Sequence, residues 1–251
     1  MTVWNDFLAH TLADKQAQDN ERSLTPMARD GLYAEVNGQR LLNLAGNDYL
    51  ALGTRSDWQR EFGQQLTAQG QYWSSSSSQL LTGHSPLHQQ VEATLARLFQ
   101  REAALTFASG YQMNFGLLNA LSMGKVLILA DKLVHASMVD GLLISKATFL
   151  RYRHNDMAHL HALLCQHHAA FERIIIVTES VFSMDGDIAD LQQLVAFKRE
   201  FANVALYVDE AHAIGVRGES GLGCAEEQGC MAEIDFLVGT FGKAVHSVGG
   251  Y

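Results

Sequence analysis

Between Val204 and Lys243 the chain runs Val204-Ala205-Leu206-Tyr207-Val208 into Asp209-Glu210-Ala211-His212, and then Phe236-Leu237-Val238-Gly239 into Thr240-Phe241-Gly242-Lys243. Each apolar run has the length and β-branched content of a strand buried on both faces, the habit of parallel sheets. Open parallel sheets bind ligands outside the carboxyl ends of their strands. Two strand exits therefore offer an acid, an imidazole, a hydroxyl and an amine: Asp209, His212, Thr240 and Lys243.

The same arrangement repeats upstream. Arg173 to Thr178, with Ile174-Ile175-Ile176-Val177 in a row, is the most strand-like segment, and it exits into Glu179-Ser180-Val181-Phe182-Ser183-Met184-Asp185-Gly186-Asp187. The oxygen spacing of that exit does not match a calcium loop of the EF-hand type. Val126 to Ala130 precedes His135, and Ala103 to Ala108 turns through Ser109-Gly110-Tyr111 into a helix spanning Gln112 to Leu121. A glycine at a helix start lets backbone N–H groups close on an anion, so this turn is a candidate phosphate cradle. Strands alternating with helices predict an α/β fold: three layers, a mostly parallel sheet with helices on both faces. Five expected strands place polar groups at one end of the sheet, where random placement would use both ends.

Residues 1–40 read as an N-terminal helical arm, with Phe7, Leu8 and Leu12 at helical spacing between Asp6 and Asn20, and 41–251 as the large domain. Asn47-Asp48-Tyr49-Leu50 suits an Asx turn closing a strand. Residues 70–83 contain the run Ser74 to Ser78 followed by Gln79-Leu80-Leu81-Thr82-Gly83, which reads as a folded loop rather than a linker. Ser85-Pro86 supplies an N-cap and a first-turn proline, and Leu87, Val91, Leu95 and Leu98 predict a buried helical stripe.

With 251 residues and 47% hydrophobic content, the chain can bury a large core. A net charge of -9 argues against a nucleic-acid surface and gives no reason to expect an anionic membrane partner. Cys165, Cys224 and Cys230 lack disulfide or zinc spacing, which favours a reducing compartment. The N-terminus lacks the pattern of a signal peptide and no run reaches spanning length, so a cytoplasmic location is expected. His159, His161, His167 and His168 with Cys165 admit a metal site through the His161/Cys165 pair, but suit the polar side of an exposed helix better; no metal is expected.

The groups gathered by the strand exits suit pyridoxal phosphate chemistry. A lysine is needed for the Schiff base and a carboxylate to keep the ring nitrogen protonated, for which Lys243 and Asp209 are the candidates. Each cluster alone also reads as a helix cap, for Asp209 and His212, or as a surface lysine. Together, Val208-Asp209-Glu210-Ala211-His212 and Gly239-Thr240-Phe241-Gly242-Lys243 resemble the α-oxoamine synthases, which are fold-type I pyridoxal phosphate enzymes. The resemblance extends over Asn47-Asp48-Tyr49-Leu50, the Ser109-Gly110-Tyr111 turn, His135 and the Glu179–Asp187 exit.

The resemblance implies that His135 stacks on the cofactor ring and reaches toward substrate, and that His212 and Ser183 lie on the ring-oxygen side. It implies that Gly110, Tyr111 and Thr240 anchor the phosphate, that Glu179 organises its loop, and that Asn47 and Arg22 contact substrate. Where the family usually carries an arginine in its Ser-Ser-Arg-Leu loop, this chain has Gln79, one positive charge fewer near the site. The implied reaction is a decarboxylative condensation of L-alanine with pimeloyl-CoA or pimeloyl-acyl-carrier protein in a homodimer, with catalysis by Lys243, Asp209 and His135. Glycine with acetyl- or succinyl-CoA, and serine with a long acyl chain, are the alternatives within the family. The family also continues past the position of Tyr251 into a small C-terminal domain, so an incomplete large domain, or a non-catalytic piece that binds cofactor or a partner subunit, is a further expectation. A metal-dependent hydrolase using Asp209, His212 and His135 is a third, although it leaves Lys243 without a task.

Overall fold

The structure is a computed structural model that describes residues 2–70 and 73–251; Met1 at the N-terminus and Gln71 and Tyr72 of the expected 70–83 loop lie outside the described residues. The chain divides into two compact units after Ala45.

In the N-terminal unit, helix α1 spans Val3–Ala17. The Thr2 hydroxyl accepts from the Asn5 N–H, and Asp6 in the first turn and Lys15 in the last complement the helix dipole. No residue of α1 is buried, and Phe7, Leu8 and Leu12 are all exposed. Strands β1 (Ala28–Asp30), β2 (Tyr33–Val36) and β3 (Gln39–Leu42) form an antiparallel meander. Its second turn is Asn37-Gly38, with φ of 52° and 75°, the left-handed pair that a two-residue hairpin requires.

The second unit continues with α2 (Ser56–Ala68), α3 (Pro86–Leu98), α4 (Gly110–Leu121), β4 (Val126–Asp131), α5 (Ala136–Ile144), β5 (Thr148–Tyr152), α6 (Met157–His167), β6 (Arg173–Glu179), α7 (Leu191–Glu200), β7 (Val204–Asp209), α8 (Cys224–Glu227) and β8 (Phe236–Val238). The sheet order is β5-β4-β6-β7-β8, every pair parallel. After β4 the chain steps outward to β5 and then returns to the other side of β4 for β6. Such a reversal opens a crevice at the carboxyl ends of the two central strands, the usual ligand position in a fold of this kind.

Period-two alternation divides the strands' side chains between two cores. Leu127, Leu129, Ile174, Ile176, Leu206 and Val208 pack with Leu160 and Leu164 of α6 and Leu194 and Val195 of α7. Val126, Ile128, Ile175, Val177 and Tyr207 pack on the opposite face with Met113 and Leu118 of α4 and Met138 and Leu142 of α5. This is the three-layer α/β architecture that the alternating pattern predicts. No helix of the described residues is long and apolar enough to cross a membrane.

Two expectations need correction. Ala103–Ala108 is not a strand: it makes a single antiparallel bridge, Phe107 to Gly250. Both the N–H and the hydroxyl of Thr106 are spent on Glu92 Oε1, each at 2.9 Å, so the donor that a ladder would use is taken by a side chain. In its place the sheet contains β5, an edge strand absent from the sequence expectation. The α3 stripe is also only partly buried. Leu95 packs beside Phe99 against Ile214 and Tyr251, while Val91 and Leu98 are exposed.

Candidate active site

The crevice at the topological reversal is a cavity of about 140 Å³. Its walls come from the first two turns of α4 (Gly110, Tyr111, Asn114), the β4 exit (His135, Ser137), the end of β6 (Glu179), the end of β7 (Asp209, Ala211) and the β8 exit (Gly239, Thr240, Lys243).

Asp209 is buried, and its carboxylate is anchored twice: the Ala211 N–H donates to Oδ1 at 2.9 Å and the Asn114 side-chain amide to Oδ2 at 2.9 Å. A carboxylate has about four lone-pair sites, which leaves capacity toward the cavity. Asn114 in turn accepts from the Tyr207 hydroxyl at 2.5 Å and donates to Ser137 Oγ at 3.1 Å. Ser137 Oγ lies 2.8 Å from His135 Nδ1. Asp209, Asn114, Ser137 and Tyr207 are thus paired with one another, as a low-dielectric interior demands.

Glu179 closes the floor. Its Oε1 accepts from the His135 N–H at 2.6 Å, bridging the β4 and β6 exits. Burial, and then the neighbouring Asp209 charge, push this carboxyl up to about 8, against the pull of the His135 N–H and of Lys243.

Lys243 Nζ lies 2.7 Å from His212 Nε2, and His212 Nδ1 lies 2.7 Å from the Tyr49 hydroxyl, which donates to Asn47 Oδ1 at 3.2 Å. Burial holds the Lys243 amine below the ordinary lysine range, while the Asp209 and Glu179 carboxylates oppose that shift. Burial, with Lys243 and then His135 adding to it, pushes His212 down to about 4, so its imidazole is neutral near pH 7. With Lys243 donating to Nε2, a neutral ring carries its hydrogen on Nδ1 and passes it to the Tyr49 oxygen. The hydrogen bonds then run in one direction from the amine to Asn47.

Helix α4 begins at Gly110, and the first-turn N–H groups of a helix have no carbonyl partner within it. Ser109 caps Gln112 at 3.1 Å. A Cβ built on Gly110 would meet Thr240 at 3.3 Å, so the glycine lets the helix start and the β8 exit approach closely. The Thr240 hydroxyl donates to the Gly249 carbonyl at 2.8 Å and accepts from the Gly242 N–H at 3.1 Å.

Ser183 and Gln79, both in the second unit, are not among the residues that line the cavity. Ser183 is exposed in the β6 exit, and Arg22 is exposed in the N-terminal unit. Gln79 donates to the Thr106 carbonyl, 27 residues along the chain, at 3.4 Å, and its Oε1 lies 3.2 Å from His84 Nδ1. Glu210 turns away from the cavity and accepts from Ser180, Cys224 and Ala225, fixing the start of α8. Asn114, Ser137 and Tyr207 belong to the site and were missed. Their signal was weak: Asn114 is a polar residue beside apolar Met113 on the stripe that α4 buries.

The chemistry of the wall fits pyridoxal phosphate: a buried carboxylate with spare lone pairs, a desolvated amine and a helix start with open N–H groups. It fits a metal less well, since His135 Nδ1 is taken by Ser137 and His212 Nε2 faces an amine. Among the described residues, the metal-ligating side chains that converge are His154, Asp185 and Asp187. Both His154 ring nitrogens already face carboxylates, Asp131 at 2.9 Å and Asp187 at 2.7 Å. Of the His161/Cys165 pair on α6, His161 Nε2 lies 3.0 Å from Glu200, and Cys165, Cys224 and Cys230 are all free thiols.

A Neisseria gonorrhoeae protein assigned the name 8-amino-7-oxononanoate synthase is 53% identical over 235 residues, 94% of this chain and 62% of that protein. The chain thus spans less than two thirds of the curated relatives it matches. Among solved structures, Sphingomonas wittichii serine palmitoyltransferase superposes with a TM-score of 0.87 at 32% identity, covering 100% of this chain and 63% of that one. A serine palmitoyltransferase structure described as containing PLP gives 0.85 at 28% identity, with 100% and 63% covered. The family described as aminotransferase class I and II matches residues 39–251, and with its parallel sheet and crevice this chain belongs to that family.

Proposed function

We propose that the cavity holds pyridoxal phosphate and that the whole protein is an 8-amino-7-oxononanoate synthase. It would condense L-alanine with pimeloyl-CoA or pimeloyl-acyl-carrier protein, with loss of carbon dioxide, in biotin biosynthesis, as a cytoplasmic homodimer. The observation that carries this reading is the convergence of a desolvated amine, Lys243, and a doubly anchored carboxylate, Asp209, on one crevice. The name borne by relatives at about half identity favours the alanine and pimeloyl pair over the glycine and acetyl pair.

When bound, the cofactor supplies an electron sink for the α-carbon of the amino acid. Asp209 would hold a proton on the ring nitrogen, its own orientation fixed by Asn114 and Ala211. Lys243 would carry the cofactor and, once released, take the α-proton, a task helped by burial that keeps its amine below the usual lysine range. His212 and Ser183 would face the ring oxygen, and His135 the ring plane. Gly110, Tyr111 and Thr240 would bind the phosphate, while Asn47 and Arg22 orient substrate.

Every residue proposed to touch the cofactor is within the 251 residues, so capture is testable on this chain. Incubation with pyridoxal phosphate, borohydride reduction and peptide mapping should give one label, on Lys243, and none in Lys243→Ala. A label on any other lysine instead would overturn the assignment.

A further inference from the structure

Asn114, in the second turn of α4, is 3% exposed and is hydrogen-bonded to two other residues of the cavity wall, Asp209 and Ser137. Its amide has three partners on two other elements, β7 and α5: Asp209 Oδ2 at 2.9 Å, the Tyr207 hydroxyl at 2.5 Å and Ser137 Oγ at 3.1 Å. The donor and acceptor inventory leaves one consistent assignment. An ionised carboxylate only accepts, so the NH2 group faces Asp209. Ser137 Oγ lies on that same nitrogen and therefore accepts as well, leaving the amide oxygen for the Tyr207 O–H. A flipped amide would set its oxygen against the carboxylate.

The assignment propagates. Ser137 Oγ, having accepted from Asn114, directs its own hydrogen at His135 Nδ1, 2.8 Å away. The Ser137 N–H also donates to that nitrogen, at 3.2 Å, as the N-cap contact of α5. Two donors on Nδ1 leave it without a proton, so a neutral His135 ring carries its hydrogen on Nε2. Resting on the reading of the cavity given above, we propose that Asn114 is a positioning residue: it orients the Asp209 carboxylate directly and, through Ser137, fixes His135 as the Nε2–H tautomer, a donor available to substrate. One buried amide thereby orients both the carboxylate proposed to meet the ring nitrogen and, through Ser137, the imidazole proposed to face the ring plane.

The test reads the tautomer and needs no cofactor. In the full 251-residue chain labelled with 15N-histidine, long-range 1H–15N correlation distinguishes the two neutral forms, and the His135 signals are identified by their loss in His135→Gln. Wild type should show the Nε2–H form. Asn114→Leu, close in size and without hydrogen bonds, and Ser137→Ala, which removes one hydroxyl and leaves Asp209 paired to Asn114, should each raise the ratio of Nδ1–H to Nε2–H form about five-fold, the worth of one ordinary hydrogen bond. Asn114→Ala replaces Asn114→Leu if the latter does not fold. A general loss of stability would lower the melting temperature without moving this ratio. An unchanged ratio in the folded variant at either position, or an Nδ1–H form in wild type, overturns the proposal. Failure of the chain to take up pyridoxal phosphate would instead count against the cofactor assignment and leave this measurement standing.

Discussion

Glu179 offers a test of the site that is independent of turnover. Its carboxyl would ordinarily titrate near 4.5, and in the folded chain burial and Asp209 move it to about 8. Between those values the folded protein holds a proton that the unfolded chain has released, so stability is highest at low pH and falls as pH rises toward 8. A difference of this size makes the decline roughly 3 kcal/mol between pH 5 and pH 8, at about 1.4 kcal/mol for each pH interval in which only the folded state is protonated. Glu179→Gln keeps an oxygen to accept from the His135 N–H and cannot titrate. Urea unfolding of both proteins at pH 5, 6, 7 and 8 gives the difference in unfolding free energy, in which groups common to both cancel. The wild type should lose about 3 kcal/mol relative to Glu179→Gln across this range. A difference independent of pH would refute the claim that Glu179 is protonated in the folded site.

Asp209→Asn removes the ionised carboxylate while keeping its shape. Uptake of pyridoxal phosphate should change by only a few fold, whereas turnover of the whole protein with L-alanine should fall on the order of a hundredfold, measured as carbon dioxide release. Gly239→Ala places a Cβ 2.4 Å from the Tyr251 hydroxyl, where the backbone is held by hydrogen bonds in both directions between the two residues. It should cost about 1–3 kcal/mol by chemical denaturation, the usual penalty of overpacking.

The parts of this structure that were legible in the sequence are those whose side chains obey a single local rule. Ile174–Val177 and Val204–Val208 are continuous apolar runs followed by polar residues, which marks both the central strands and the ends where Glu179 and Asp209 emerge. Thr148–Tyr152 carries no such run: as an edge strand it is buried only at Tyr152, so its pattern is diluted. Ala103–Ala108 misleads in the opposite way, being apolar in composition but tethered through Thr106 to Glu92 rather than to a neighbouring strand. The β1–β3 meander had a usable signal in Asn37-Gly38, obscured by strands of three and four residues with mostly exposed side chains. Asn114 was beyond reach, because its partners Ser137, Tyr207 and Asp209 lie 23, 93 and 95 residues away in the chain.

The cavity draws its wall from five separate chain segments, each reaching the crevice from a different strand or helix end. None of them holds the site alone, and the site exists only when the central strands are already in register. A small molecule seated there would therefore oppose opening of the whole sheet rather than fraying of one loop, and its binding free energy would add to global stability in proportion to the logarithm of its concentration over its dissociation constant. Amide hydrogens deep in β4, β6 and β7, which exchange only when the sheet opens, would register that molecule's presence as faithfully as the groups that touch it.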